Sequence, residues 1–404
     1  MIKIFDKSDC CGCTACAMSC PVRAIHMKED KEGFLYPIID EKKCIRCNKC
    51  EKVCPINKNS VESDYSRKVY VCQNKNVDIR FDSTSGGFFS AVSNYVLKRN
   101  GYVIGAEFDG EWNVVHGKGS TPEDLARFRG SKYIQSKLGD VFIHIKQLLD
   151  NNEWVLFSGT PCQVEGLVSY LNKNYEKLIL MDIVCFSISS PKVWRFFLSY
   201  LEKNKKLEIS KINKIKFRDK TKYGYEYTLM SFYDKNGRVL YSSGPESNKM
   251  LRSFVSNTST RLACYKCRFK KIKRVSDFTA WDCYNVYQYN KEADDNKGTS
   301  HVMIHSQKAA EILEELKDDL WLKEVNLEAA VKSEPAMIKC ATPSKERSLF
   351  FKCVERGENP FEIYFNETLR TKSEKILRKI FSTLGIYKII KRSIKKLQEG
   401  EENE

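Results

Sequence analysis

The 404-residue chain contains no run of 18 apolar residues, which excludes a membrane-spanning helix of ordinary length. Its first residues, Met1-Ile2-Lys3-Ile4-Phe5-Asp6-Lys7, lack the apolar core and small-residue cleavage region of a secretory signal. A cytoplasmic protein is therefore expected, with peripheral attachment to the inner face of a membrane left open. No internal repeat is visible outside the first 57 residues, and no nucleic-acid reader motif accompanies the net charge of +16. Nucleic acid is not the expected partner, because much of that charge lies in one tail. Between Arg370 and Leu397, ten Lys or Arg face the single acid Glu374.

What is abundant is cysteine, at seventeen residues. In a reducing compartment such a count reads as metal ligands or redox groups rather than disulfides. Cys10-x2-Cys13-x2-Cys16-x3-Cys20-Pro21 is followed by Cys44-x2-Cys47-x2-Cys50-x3-Cys54-Pro55. This is the run of a bacterial dicluster ferredoxin. Three close thiolates wrap one cubane, and the turn before proline carries the fourth to the other cluster. Cys10, Cys13, Cys16 and Cys54 are thus expected to hold one 4Fe-4S cluster, and Cys20, Cys44, Cys47 and Cys50 the second. Zinc sites use pairs instead of triplets plus one. Cys11 fits no ligand slot and reads as a small semi-buried residue.

The remaining chain alternates strand and helix patterns. Short strands are expected at Val69 to Cys72, Tyr102 to Ala106, Trp154 to Ser158 and Leu178 to Val184. Helices are expected from Gly87 to Arg99 and Val141 to Leu149. Antiparallel strands should flank Lys235-Asn236-Gly237, and a strand from His301 to Ile304 should lead into a helix capped by Ser306. The expected class is mixed α+β and α/β. A dicluster ferredoxin domain occupies residues 1–57, a polar linker 58–68, a mixed-sheet α/β domain 69–355 and a basic amphipathic helical tail 356–404. In that tail Ile376, Ile380, Leu384, Tyr387, Ile390, Ile394 and Leu397 recur at helical spacing among basic residues. That pattern suits an anionic membrane surface or an acidic partner.

Three loops of the second domain carry glycine and hydroxyl side chains. They are Ser83-Thr84-Ser85-Gly86-Gly87 at a helix start, Gly130-Ser131-Lys132-Tyr133, and Ser158-Gly159-Thr160-Pro161-Cys162-Gln163 after a buried strand. Backbone amides at such turns can approach a phosphate, and loops at the carboxyl ends of strands are where α/β sheets bind cofactors. Ser85, Gly86, Gly87, Gly130, Ser131, Lys132, Gly159 and Thr160 are the candidate cofactor-binding residues. Cys162, Cys185 and the pair Cys264-x2-Cys267 supply four more thiols, enough for a third 4Fe-4S cluster. The basic run Lys270-Lys271-Ile272-Lys273-Arg274 reads as a solvated loop. His301 and His305 read as structural, and Cys72, Cys283, Cys340 and Cys353 as ordinary thiols.

These motifs occur in the order Ser83 to Gly87, Gly130 to Ser136, Ser158 to Gln163, and Cys264-x2-Cys267 before Asp277-Phe278-Thr279, behind a dicluster ferredoxin. The whole resembles the beta-subunit family of coenzyme F-420 hydrogenases and dehydrogenases over residues 1 to about 355. The resemblance implies FAD and an iron-sulfur centre within the flavin domain. Relatives use a deazaflavin, act on other conjugated substrates such as chlorophyll derivatives, or lie beside surface-polysaccharide genes. It implies an oxidoreductase passing single electrons from a ferredoxin-like donor through clusters to FAD and on to a small-molecule acceptor. The alternative is a non-catalytic electron-transfer subunit feeding a partner enzyme. Where many relatives read Gly-Asp-Phe-Trp-Gly, this chain has Trp281-Asp282-Cys283-Tyr284-Asn285, so the substrate is not inherited.

Overall fold

The computed structural model describes residues 2–58, 65–391 and 393. Most of the expected linker, with Ile394 and Leu397 of the tail, lies outside the described residues. A hairpin of β1 (Ile25–Glu29) and β2 (Leu35–Ile39) separates the two cysteine runs. The remaining strands are β3 (Lys68–Asn74), β4 (Tyr102–Phe108), β5 (Val114–Gly119), β6 (Val155–Gly159), β7 (Leu178–Ile183), β8 (Lys214–Asp219), β9 (Leu229–Tyr233), β10 (Val239–Ser243), β11 (Phe278–Asp282), β12 (Ser300–Ile304) and β13 (Leu320–Val325).

Eight of them form one mixed sheet in the order β13-β3-β12-β11-β7-β6-β4-β5. Its centre, β4-β6-β7-β11, is parallel, and antiparallel strands extend it on both sides. Strand alternation sends successive side chains to opposite faces. Leu156, Ile179 and Met181 pack beneath the helices Phe88–Leu97 and Gln307–Glu315. Val155, Phe157, Leu178 and Leu180 pack beneath Val141–Asp150 and Pro161–Leu171. Burial on both faces explains why β6 and β7 read as continuous apolar runs. Ser306 caps its helix, as expected, by accepting from the Ala309 amide at 3.1 Å.

A second sheet, β10-β9-β8, turns at Gly237, whose φ of +76° suits glycine. It packs on an aromatic core of Trp194, Phe197, Phe217, Phe232, Phe350, Phe351 and Phe361, which also takes in Phe34 and Tyr36 of the dicluster segment. That segment buries only a small core of its own around Cys16, Ile25 and Cys50, and its hairpin is completed by its neighbour. Polar ties reinforce the seat. Arg347 forks onto Glu32 at 3.0 and 2.6 Å, and the Gln135 side chain accepts from the Leu35 amide at 3.0 Å.

The tail forms a helix over Leu369–Thr383 that buries no residue and leaves Leu369, Ile376, Leu377, Ile380 and Leu384 exposed. Beyond it, Tyr387 packs against Tyr227, Lys388 pairs with Asp294, and Lys391 with Glu226 at 3.1 Å.

Candidate functional site

The two cysteine runs fold as near copies of each other. In the first, Gly12 and Thr14 take positive φ of 75° and 65° before the short helix Ala15–Met18. In the second, Arg46 and Asn48 take 54° and 59° before Lys49–Lys52. Left-handed residues alternating along a loop are the backbone form that turns successive N–H groups toward an anionic cluster. Cys10, Cys13, Cys16 and Cys54 line one cavity of about 290 Å3. Cys20, Cys44, Cys47 and Cys50 line a second of about 20 Å3. The crossed grouping is the one the spacing implies. Burial pushes the Cys16 and Cys54 thiols above their ordinary range, so their thiolates need a cation such as iron beside them.

A third thiol group forms where the parallel strands end. Cys162 sits in the first turn of helix Pro161–Leu171, Cys185 follows β7, and Cys264 and Cys267 lie on and just after a 3-10 turn, Leu262–Lys266. All four line a cavity of about 130 Å3. Burial raises Cys185 to about 12 and Cys267 to about 11, with neighbouring thiols adding to the effect. Among the described residues no three His, Cys, Asp or Glu are arranged to hold a single metal ion. The donor set is soft and all-sulfur, which suits an iron-sulfur cluster.

Packing corrects one expectation in this region and adds to another. Cys11 is semi-buried, as expected, and lies beside the thiols of Cys13 and Cys162, lining both neighbouring cavities. The basic run after Cys267 is not a solvated loop. Arg274 is buried against Asp182 at 3.4 Å, Lys271 pairs with Glu165 at 3.0 Å, and Lys270 donates to the carbonyls of Cys185, Phe186 and Ala336. Cys340, expected to be an ordinary thiol, donates to the Cys267 carbonyl at 3.6 Å.

A cleft of about 420 Å3 opens beside the third thiol group and shares Cys11, Cys162 and Cys185 with it. It gathers Ser85, Gly87, Gly130, Ser131, Lys132, Gly159 and Thr160 from three separate loops. Gly86 does not line it. Its amide donates to Ser300 Oγ at 2.9 Å, and a side chain there would strike the Cys72 carbonyl. Thr84 Oγ1 accepts from the Ser131 amide at 2.8 Å and joins two of the loops. Burial lowers Lys132 to about 8.

Beneath the cleft runs a polar chain. Gln163 Nε2 donates to Ser136 Oγ at 2.9 Å, Ser136 Oγ lies 2.9 Å from His116 Nδ1, and His116 Nε2 lies 3.1 Å from the Ser158 carbonyl. Burial lowers His116 to about 4, so the ring is neutral and Nε2 donates to that carbonyl. The far wall carries Trp281, whose buried indole N–H has no partner among the described residues, and Arg218, which pairs with Asp282. A cleft of this size, with glycine-lined turns, hydroxyls and an orphan donor, has the make-up of a small-molecule or cofactor site. His301 is buried in β12 against Trp281 with ring centroids 5.0 Å apart, and His305 is buried just beyond, as structural residues. Arg261 escapes a reading of the sequence because no local spacing marks it.

A dicluster segment seated on an α/β domain with thiols at its sheet edge is the make-up of an iron-sulfur electron-transfer protein. Residues 9–58 match the 4Fe-4S dicluster domain. Residues 152–330 match the C-terminal region of the coenzyme F420 hydrogenase/dehydrogenase beta subunit. No curated protein matches the chain. Among solved structures, the xenon-derivatised F420-reducing [NiFe] hydrogenase complex from Methanosarcina barkeri is similar at 16% identity, over 75% of this chain and 94% of that one, with a TM-score of 0.44. No helix among the described residues is long and apolar enough to cross a membrane.

Proposed function

We propose that the chain is an iron-sulfur flavoprotein oxidoreductase, with Cys162, Cys185, Cys264 and Cys267 holding a third 4Fe-4S cluster and the adjoining cleft holding FAD. The observation that carries this reading is the shared wall. Cys11 belongs to the cavity of the Cys10 cluster, to the inner thiol cavity and to the cleft, so the three sites adjoin at one residue. When bound, clusters exchange single electrons and a flavin couples them to two-electron chemistry. The chain's own part is placement. Gly87, Gly130 and Gly159 let backbone come close to a ligand, Ser85, Ser131 and Thr160 offer hydroxyls, and the Gln163-Ser136-His116 chain fixes the floor. Trp281 narrows the substrate end and offers its indole N–H as a donor.

Anaerobic purification with iron, sulfide and flavin analysis tests the reading. About twelve irons and one FAD per chain support it, as three four-iron clusters require. Eight irons with no flavin refute it. The exposed apolar residues of helix Leu369–Thr383 favour a second reading, an electron-transfer subunit that docks on a partner enzyme. Reduction of a diffusible acceptor by the isolated chain would exclude that alternative.

A further inference from the structure

Four arginines are buried among the described residues: Arg80, Arg261, Arg274 and Arg347. Three of them have a carboxylate: Asp295 for Arg80, Asp182 for Arg274 and Glu32 for Arg347. Arg261, the most deeply buried at 0% exposure, has no ion pair among the described residues. Its Nε donates to the Cys10 carbonyl at 2.9 Å, Nη1 to Gln135 Oε1 at 3.3 Å and Nη2 to the Leu35 carbonyl at 3.1 Å. The guanidinium lies 4.1 Å from the Tyr36 ring centroid. Neutral dipoles and a ring face are modest compensation for a buried cation.

The missing negative charge is on either side. Arg261 grips the backbone of Cys10 in the dicluster segment and lines the cavity of Cys162, Cys185, Cys264 and Cys267. Gly12, one residue beyond Cys11, has no room for a side chain, since a Cβ there would lie 2.5 Å from Gln135 Nε2 and 3.2 Å from the guanidinium carbon. The packing keeps the cation tight between the two thiol groups.

We propose that Arg261 is the shared counter-cation of two iron-sulfur centres, the Cys10, Cys13, Cys16, Cys54 cluster and the inner one, raising the reduction potential of both. The second half of this rests on the inner thiols holding a cluster. Reduction adds one electron, and so one negative charge, to a centre; a fixed cation close by in a low-dielectric interior favours that step. Arg261 reaches the first cluster through the Cys10 carbonyl and not through its cavity lining, whereas the cluster of Cys20, Cys44, Cys47 and Cys50 has neither contact with it and serves as an internal reference.

The test is an anaerobic redox titration with dithionite, followed by electron paramagnetic resonance, on the full chain and three variants. Arg261→Gln removes the charge. Gln135→Glu keeps the arginine, its acceptor and the side-chain shape while adding an anion against it, and carries the test if Arg261→Gln does not assemble. Arg261→Lys keeps the charge with fewer bonds. Arg261→Gln and Gln135→Glu should shift the first and inner midpoints negative by at least tenfold in the one-electron equilibrium, ~59 mV. Arg261→Lys should stay near the parent, and the reference cluster should not move. Unchanged midpoints in both charge-altering variants would overturn the proposal, as would an Arg261→Lys shift as large as that of Arg261→Gln, which would mark a purely structural role. Iron content keeps the two readings apart: eight irons in the parent sinks the inner cluster, while the Cys10 cluster still reports on Arg261.

Discussion

Gly166 lies in the middle of helix Pro161–Leu171, where alanine would ordinarily stabilise by ~1 kcal/mol. The structure reverses that expectation. A Cβ at this position would lie 2.8 Å from Cys13 Cβ and 3.0 Å from its Sγ, roughly 1 Å inside the optimum carbon contact. Cys13 cannot yield freely, because it sits on a left-handed loop against Cys11 and its sulfur is committed to a cluster. Overpacking costs ~1–3 kcal/mol, so Gly166→Ala should be destabilising by up to ~2 kcal/mol after the helix gain. The strain should fall on one cluster. Denaturant unfolding gives the energy, and the reduced spectrum shows the cluster: the Cys10 set should broaden or shift while the Cys20 set is unchanged. Gly110→Ala, with nothing within 4 Å of the added carbon, is the control and should be silent. A Gly166→Ala protein that gains ~1 kcal/mol with both spectra intact would refute the seating of the dicluster segment on this helix.

Arg274→Met leaves Asp182 buried without its cation and should cost ~3–5 kcal/mol by denaturant unfolding, with Thr279 and Ser276 still bonded to the carboxylate. Burial holds His116 at about 4 against an ordinary 6.5, so the unfolded chain binds the extra proton between those values. Stability should therefore fall as pH drops from about 6.5 to about 4, and His116→Gln should remove about one proton from the slope, ~1.4 kcal/mol per pH unit. An unchanged slope would show the ring is not buried neutral. Trp281→Gly should enlarge the cleft at that wall and, under the proposed function, widen the range of acceptors reduced with iron content unaffected; loss of iron instead would place Trp281 in structural support of the thiols.

Legibility follows the range of the interactions. The eight ferredoxin cysteines and the apolar strands β6 and β7 announce themselves within a few residues, because cluster wrapping and double-sided burial are local patterns. The flanking strands β5 and β13 carry a weaker signal, since each is an edge strand with polar residues such as Lys118 and Glu324. The order β13-β3-β12-β11 joins the ends of the domain and has no local trace. Lys270 to Arg274 read as solvated because their partners Glu165 and Asp182 lie far back in the chain. Cys11 reads only as a small semi-buried residue for the same reason: Cys162 meets it only after folding. A motif with two adjacent glycines suggests that both Gly86 and Gly87 contact a phosphate, yet only Gly87 reaches the cleft while Gly86 makes room for the Cys72 strand.

The net charge acquires a second meaning from the same packing. Arg261, Lys266, Arg268, Lys270 and Arg274 line the inner thiol cavity, where the only acid among the described residues is Asp9. Four thiolates on a cluster leave net negative charge in a buried site, and without compensation the thiols stay protonated, as the upward shifts of Cys185 and Cys267 indicate. A ring of cations offsets that cost and favours release of the thiol protons when iron binds. It also separates the chain's positive charge into two populations. Of the basic residues around Cys264 and Cys267, Lys270 and Arg274 turn inward beside the inner thiol cavity while Lys266 and Arg268 stay exposed at its rim, whereas those of helix Leu369–Thr383 stand beside exposed apolar side chains. Salt should therefore weaken any docking through the tail, where charges are solvated, and leave the buried Arg261 and Arg274 nearly untouched.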